Sequence, residues 1–158
     1  MKTSPSTDAR QPRIAFFAGS FDPFTRGHEN IVKRGLEIFD EIVVGIGINP
    51  EKTPLFSPEA RKTAISNTFA DEPRVRVVAY EGYTVDAAQV CGAHFLLRGV
   101  RTGADFEYEK KLAQFNFERA GIETVLLPAL PELASISSTQ ARHLLAQGQD
   151  ISHLLPTS

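Results

Sequence analysis

Short apolar runs alternate with helix-length amphipathic segments along most of this chain, and that alternation fixes the fold class before any chemistry is considered. Ile14 to Ala18, Ile42 to Ile48, Val75 to Tyr80, Phe95 to Leu97 and Thr124 to Leu127 read as strands. Runs of this kind with helices between them predict an α/β fold, a Rossmann-like doubly wound sheet of five parallel strands joined by right-handed crossovers. Between the strands, Ile31, Val32, Leu36 and Phe39 share one face of a helix following His28, and Ser57-Pro58-Glu59 supplies a cap, a first-turn proline and an early acid. Thr84 is placed to cap a short helix running to Cys91, Arg101 to Arg119 contains a longer helix, and Ser137 or Ser138 caps a last one through Leu145, ended near Gly148. In such a sheet, ligands bind beyond the strands' C-terminal ends, where the loops at Gly19, Asn49, Arg98 and Pro128 should converge.

Composition narrows the class. The chain's 158 residues, 42% hydrophobic, suit one domain with a proper core, spanning 13–158 after a disordered N-terminal extension over 1–12. A net charge of −2 gives no general attraction to nucleic acid or membrane, so any positive site must be local. The N-terminus lacks a signal peptide's apolar segment, and no later run is long enough to cross a bilayer. Cys91 is the only cysteine and cannot form an internal disulfide, so a cytoplasmic protein is expected.

The chemistry begins at Gly19 to His28, GSFDPFTRGH, where a strand gives way to a helix. Such a junction aims backbone N–H groups and a helix N-terminus at one spot, making an anion site. Thr25 and His28, three apart, would both meet a phosphate there; Ser20 adds a hydroxyl, Gly19 allows close approach, and Asp22 and Pro23 shape the loop. The dinucleotide fingerprint and the P-loop are both absent: Gly45-Ile46-Gly47 lies inside a strand, where close packing against a helix explains the glycines.

GSFDPFTRGH also resembles the T/HxGH signature of nucleotidylyltransferases, and Ile136 to Arg142 resembles their second signature, ISSTxxR. Within that superfamily, Arg98 to Glu109, RGVRTGADFEYE, is similar to the RGxR and DFEYE stretch of the bacterial phosphopantetheine adenylyltransferases. That resemblance implies transfer of AMP from ATP to 4′-phosphopantetheine, giving dephospho-coenzyme A and pyrophosphate, the penultimate step of coenzyme A synthesis. It further implies that ATP contacts Ser20, Phe21, His28, Gly99, Val100, Arg101, Glu109 and the stretch Leu133, Ala134, Ser135, Ile136, Ser137, Ser138 and Thr139. The acceptor would meet Ser20, Lys52, Thr84 and Arg98, with His28, Lys52 and Arg101 as the catalytic groups. A homohexamer, Mg²⁺ carried with ATP and inhibition by coenzyme A belong to the same expectation.

Elementary electrostatics supports those roles. Two polyanions pressed together repel by roughly 4 kcal/mol per unit-charge pair at about 4 Å and an effective dielectric of 20, and Lys52, Arg98 and Arg101 can offset this. The substrate phosphate is itself the nucleophile, so the protein's tasks are alignment and charge stabilisation, with His28 donating to the α-phosphate. Asp105 and Glu109, four apart, would by spacing alone be a solvated helix face. Gly82-Tyr83-Thr84, Ala134, Ser135 and Ala18 depart from the resembled pattern, which should alter pocket walls more than chemistry. The rival readings are a nicotinamide mononucleotide adenylyltransferase, a cytidylyltransferase and a nucleotide sensor without turnover. RGVRTGADFEYE argues against the first two, and the intact cationic set against the third.

Overall fold

The computed structural model describes residues 10–157; the expected disorder of the N-terminal extension falls for residues 1–9 outside the described residues. Five strands, β1 (Ile14–Gly19), β2 (Glu41–Gly47), β3 (Val75–Tyr80), β4 (Phe95–Val100) and β5 (Glu123–Pro128), form one sheet in the order β3-β2-β1-β4-β5. Every pairing is parallel, as the apolar runs predict. The connecting helices are α1 (Arg26–Gly35), α2 (Pro58–Thr68), α3 (Thr84–Val90) and α4 (Gly103–Ala120), and α5 (Ser138–Ala146) follows β5.

Alternation along β1 explains the two-sided core. Ala15 and Phe17 face a cluster with Ile31, Val32, Ile42, Val44 and Leu97, whereas Phe16 and Ala18 face Val43, Val85, Ala88 and Leu96. Leu36 and Phe39 join the first cluster from beyond the end of α1, because that helix stops at Gly35. Gly45 is a packing glycine, but the neighbour is not a helix: a Cβ there would lie 2.2 Å from the Phe16 ring on the adjacent strand.

The helix starts follow local chemistry. Ser57 caps α2, Thr102 caps α4, and of the two candidate serines Ser137 caps α5, its hydroxyl accepting the Gln140 amide at 3.1 Å. Thr84 does not cap α3; Tyr83 holds that position without a side-chain bond, and the Thr84 hydroxyl pairs with the Tyr80 hydroxyl at 2.8 Å. The chain steps outward from β1 through β2 to β3 and then returns to β4 on the other side of β1. That reversal leaves a crevice at the C-terminal ends of β1 and β4.

Candidate active site

The crevice is a cleft of about 660 Å³, lined by β1 and its turn, by Arg98 to Arg101 at the end of β4, and by Leu133 and Ile136 to Thr139 entering α5. Three of the four expected loops therefore converge. The loop at Asn49 does not line it, and Lys52, exposed on that loop, stands outside. Ser20, Phe21, His28, Gly99, Val100, Arg101, Leu133, Ile136, Ser137, Ser138 and Thr139 line the cleft together, whereas Ala134, Ser135, Thr84 and Glu109 do not.

His28 is oriented by its own helix. Thr25 caps α1, its hydroxyl accepting the His28 amide at 3.4 Å, while His28 Nδ1 accepts the Thr25 amide at 2.9 Å. This is a capping box with histidine in the place usually held by glutamate. Since Nδ1 is an acceptor, the neutral ring carries its proton on Nε2, which makes that atom a hydrogen-bond donor. Burial lowers the His28 pKa to about 3, and the charges of Arg101 and Arg98 push in the same direction. The rings of Phe21 and Phe24, 4.9 and 5.3 Å away between centroids, hold the imidazole from its sides. Thr25, only 1% exposed, orients His28 through the cap and also lines the cleft.

Gly19 earns its place through a close approach, since a Cβ there would meet the Phe21 ring at 2.9 Å. Phe21 itself takes a left-handed conformation, φ 49°, with its side chain buried. The turn it stands in is fixed from both flanks. Asp22 accepts the amides of Leu55 and Phe56, each at 2.8 Å, so its expected shaping role has a definite form. From α5, the Ser138 hydroxyl donates to the Pro23 carbonyl at 2.7 Å and Arg142 to the Asp22 carbonyl at 2.8 Å.

Arg98 and Glu109 were expected on different ligands, and here they hold each other. Arg98 donates Nε to Oε1 at 2.9 Å and Nη2 to Oε2 at 2.8 Å, and Nη1 reaches the Ala18 carbonyl at 2.7 Å. Burial would lower the Arg98 pKa, but the Glu109 carboxylate outweighs it and the pKa is raised. Glu109 is buried, which overturns the solvated face expected from its spacing to Asp105. Asp105 instead takes the Arg101 amide at 3.0 Å and pairs with the Arg101 guanidinium at 3.4 Å, leaving Arg101 partly exposed at the cleft. Arg142 and Tyr108 also line the cleft and were not singled out from the sequence, although Arg142 closes the ISSTQAR motif.

A parallel sheet with this strand order, a donor histidine and three arginines at its switch point define a nucleotidyltransferase. The sequence model of the cytidylyltransferase-like family matches residues 16–144. Phosphopantetheine adenylyltransferase of Porphyromonas gingivalis is 50% identical over 143 residues, covering 90% of this chain and 94% of that protein. Those of Phocaeicola vulgatus and Flavobacterium johnsoniae are 52% and 51% identical over 144 residues, each covering 91% of this chain and 95% of the relative. The chain belongs to the phosphopantetheine adenylyltransferase family. Among solved structures, a bifunctional NMN adenylyltransferase/ADP ribose pyrophosphatase of Francisella tularensis, complexed with AMP and a manganese ion, superposes with a TM-score of 0.69 at 15% identity. The match covers 94% of this chain and 45% of that one, and at this identity it bears on the fold alone.

Proposed function

We propose that this protein transfers the adenylyl group of ATP to 4′-phosphopantetheine, giving dephospho-coenzyme A and pyrophosphate in the penultimate step of coenzyme A synthesis. The observation that carries the reading is the neutral His28, its donor nitrogen fixed by the cap, in one cleft with Arg98, Arg101 and Arg142. An oxygen of the acceptor phosphate attacks the α-phosphorus, the bond from that phosphorus to the bridging oxygen breaks, and pyrophosphate leaves with the electron pair. His28 donates to the α-phosphate as charge gathers there. Arg101, Arg142 and the amides opening α5 offset the charge of the triphosphate. Gly99, Val100, Phe21, Leu133 and Ile136 to Thr139 complete the nucleotide side, with Ser20 between donor and acceptor.

Two of Arg98's five N–H donors remain beyond its three observed bonds, and these serve the acceptor phosphate while Glu109 steadies the guanidinium beside ATP. Lys52 and Thr84 serve the acceptor from outside the present cleft wall. Mg²⁺ enters with ATP as part of the substrate; among the described residues no group of three His, Cys, Asp or Glu could hold a metal ion, and phosphate oxygens with water suit it. Coenzyme A, which shares the product's chemistry, would compete for the same cleft. No helix among the described residues is long and apolar enough to cross a membrane. The setting we assign, from the single cysteine and its lack of an internal disulfide partner, is the cytoplasm.

The deciding assay supplies ATP and Mg²⁺ with one acceptor at a time and measures pyrophosphate and adenylylated product. Turnover with 4′-phosphopantetheine is expected. Turnover with nicotinamide mononucleotide alone would overturn the assignment, as would nucleotide binding without any turnover.

The same reading includes a homohexamer. Phe106, Tyr108, Phe115 and Phe117 on α4 and Tyr83 beside it are large apolar side chains left exposed in the single chain, which favours self-association. Light scattering should give about six times the chain mass of 17.4 kDa. A monomeric mass would refute it.

A further inference from the structure

Arg61, in the first turns of α2, has no part in the cleft lining and yet is only 5% exposed. Among the described residues it makes no ion pair with a carboxylate. Its bonds run to carbonyl oxygens instead: Nε to Phe56 at 3.0 Å and Ser57 at 3.4 Å, and Nη1 to Ser20 at 2.7 Å. Burying a guanidinium without an acid is costly, and a neutral side chain would serve for a simple helix-to-loop tie. What the planar fork adds is several carbonyls held at once in fixed directions.

Asp22, also 5% exposed, completes the arrangement from the other side, since its carboxylate takes the amides of Leu55 and Phe56. Two opposite charges thus fasten the Ser20 to Asp22 turn against Leu55 to Ser57, each through backbone groups of the facing segment. That segment continues the loop bearing Lys52. The opposite flank of the turn is tied to α5 through Arg142 and Ser138. The turn therefore stands between the nucleotide side of the cleft and the loop assigned to the acceptor.

We propose that Arg61 is a positioning residue for the reaction, holding with Asp22 the Ser20 turn and the Lys52 loop in one rigid relation on the acceptor side. The inference rests on the adenylyl-transfer reading above. Lysine in place of Arg61 keeps the charge but cannot hold the carbonyls of Ser20, Phe56 and Ser57 together.

The test is steady-state kinetics of Arg61→Lys and Asp22→Asn with each substrate varied, alongside amide hydrogen exchange at Leu55 and Phe56. A slight misplacement of an aligning group is costly, so KM for 4′-phosphopantetheine should rise about tenfold and kcat fall about tenfold, with KM for ATP within about twofold of wild type. Exchange at Leu55 and Phe56 should quicken in both variants. Unchanged KM values with a lowered Tm, or an equal rise in both KM values, would overturn the proposal, even with faster exchange. If Arg61→Lys fails to fold, the near-isosteric Asp22→Asn decides by the same split. Wild-type enzyme assayed in parallel separates the two readings: absence of transfer there defeats the adenylyl-transfer reading, while unchanged exchange in the variants defeats the clamp.

Discussion

His28→Ala should lower kcat by on the order of a hundredfold or more, the equivalent of about 3 kcal/mol for one preorganised donor, while KM for ATP changes little. The asymmetry follows from when the hydrogen bond strengthens, because charge on the α-phosphate peaks as the new bond forms and the old one breaks. Thr25 and the phenylalanine rings already fix the imidazole, so no reorganisation is needed at that moment. With the pKa lowered from 6.5 to about 3, His28 is neutral through the working range, and its Nε2–H stays in place. The kcat profile of the wild type should accordingly show no His28 inflection near pH 6.5. Stability carries the matching signature. Between about pH 6.5 and 3 the unfolded histidine binds a proton that the folded one refuses, so stability falls with acidification over that window. The slope from this group approaches 1.4 kcal/mol per pH unit, and above pH 6.5 it vanishes. Denaturant titrations of His28→Ala should lose this component of the acid slope. Turnover within a few-fold of wild type in a folded variant would remove His28 from the reaction.

The sheet was legible because buried parallel strands are nearly unbroken apolar runs; Ile42 to Ile48 and Val75 to Tyr80 match β2 and β3 within a residue at either end. The cleft was legible where its chemistry lies within a short segment, as in Gly19 to His28 and Ile136 to Thr139. What spacing could not supply was partnership across the fold. Thr84 was a plausible cap until the Tyr80 hydroxyl, on a neighbouring element, offered its side chain a partner. Asp105 and Glu109 have identical spacing rules, yet only Glu109 turns toward the sheet, where Arg98 meets it. Arg61 carried no local signal at all, since an arginine in an early turn of an amphipathic helix ordinarily faces water. The capping box at Thr25 and His28 was readable in principle as T-x-x-H in place of T-x-x-E, had histidine been admitted as the returning acceptor.

Glu109→Ala should cost about 3 kcal/mol of stability, lowering Tm by roughly 6–12 °C for a chain of this size, because it strands the Arg98 guanidinium in a partly desolvated place. The Arg98 side chain is 26% exposed, so solvent moderates the loss from the upper end of the range for fully buried pairs. Turnover should fall with it, as Arg98 loses the two bonds that set its plane against the cleft. Stability and function part company in the double variant Arg98→Met/Glu109→Leu. Replacing both charges with apolar groups removes the desolvation cost together with the attraction, so the double variant should recover to within about 1 kcal/mol of wild type. Its KM for 4′-phosphopantetheine should nevertheless stay raised by at least about tenfold, since the Arg98 donors proposed for the acceptor phosphate are gone. Calorimetry and steady-state kinetics on the three proteins check both statements. A double variant that regained wild-type KM along with its Tm would show that the pair holds α4 against β4 and does nothing for the acceptor. A double variant no more stable than Glu109→Ala would instead mean that the ion pair contributes net stability, and that the sheet edge at β4 depends on it.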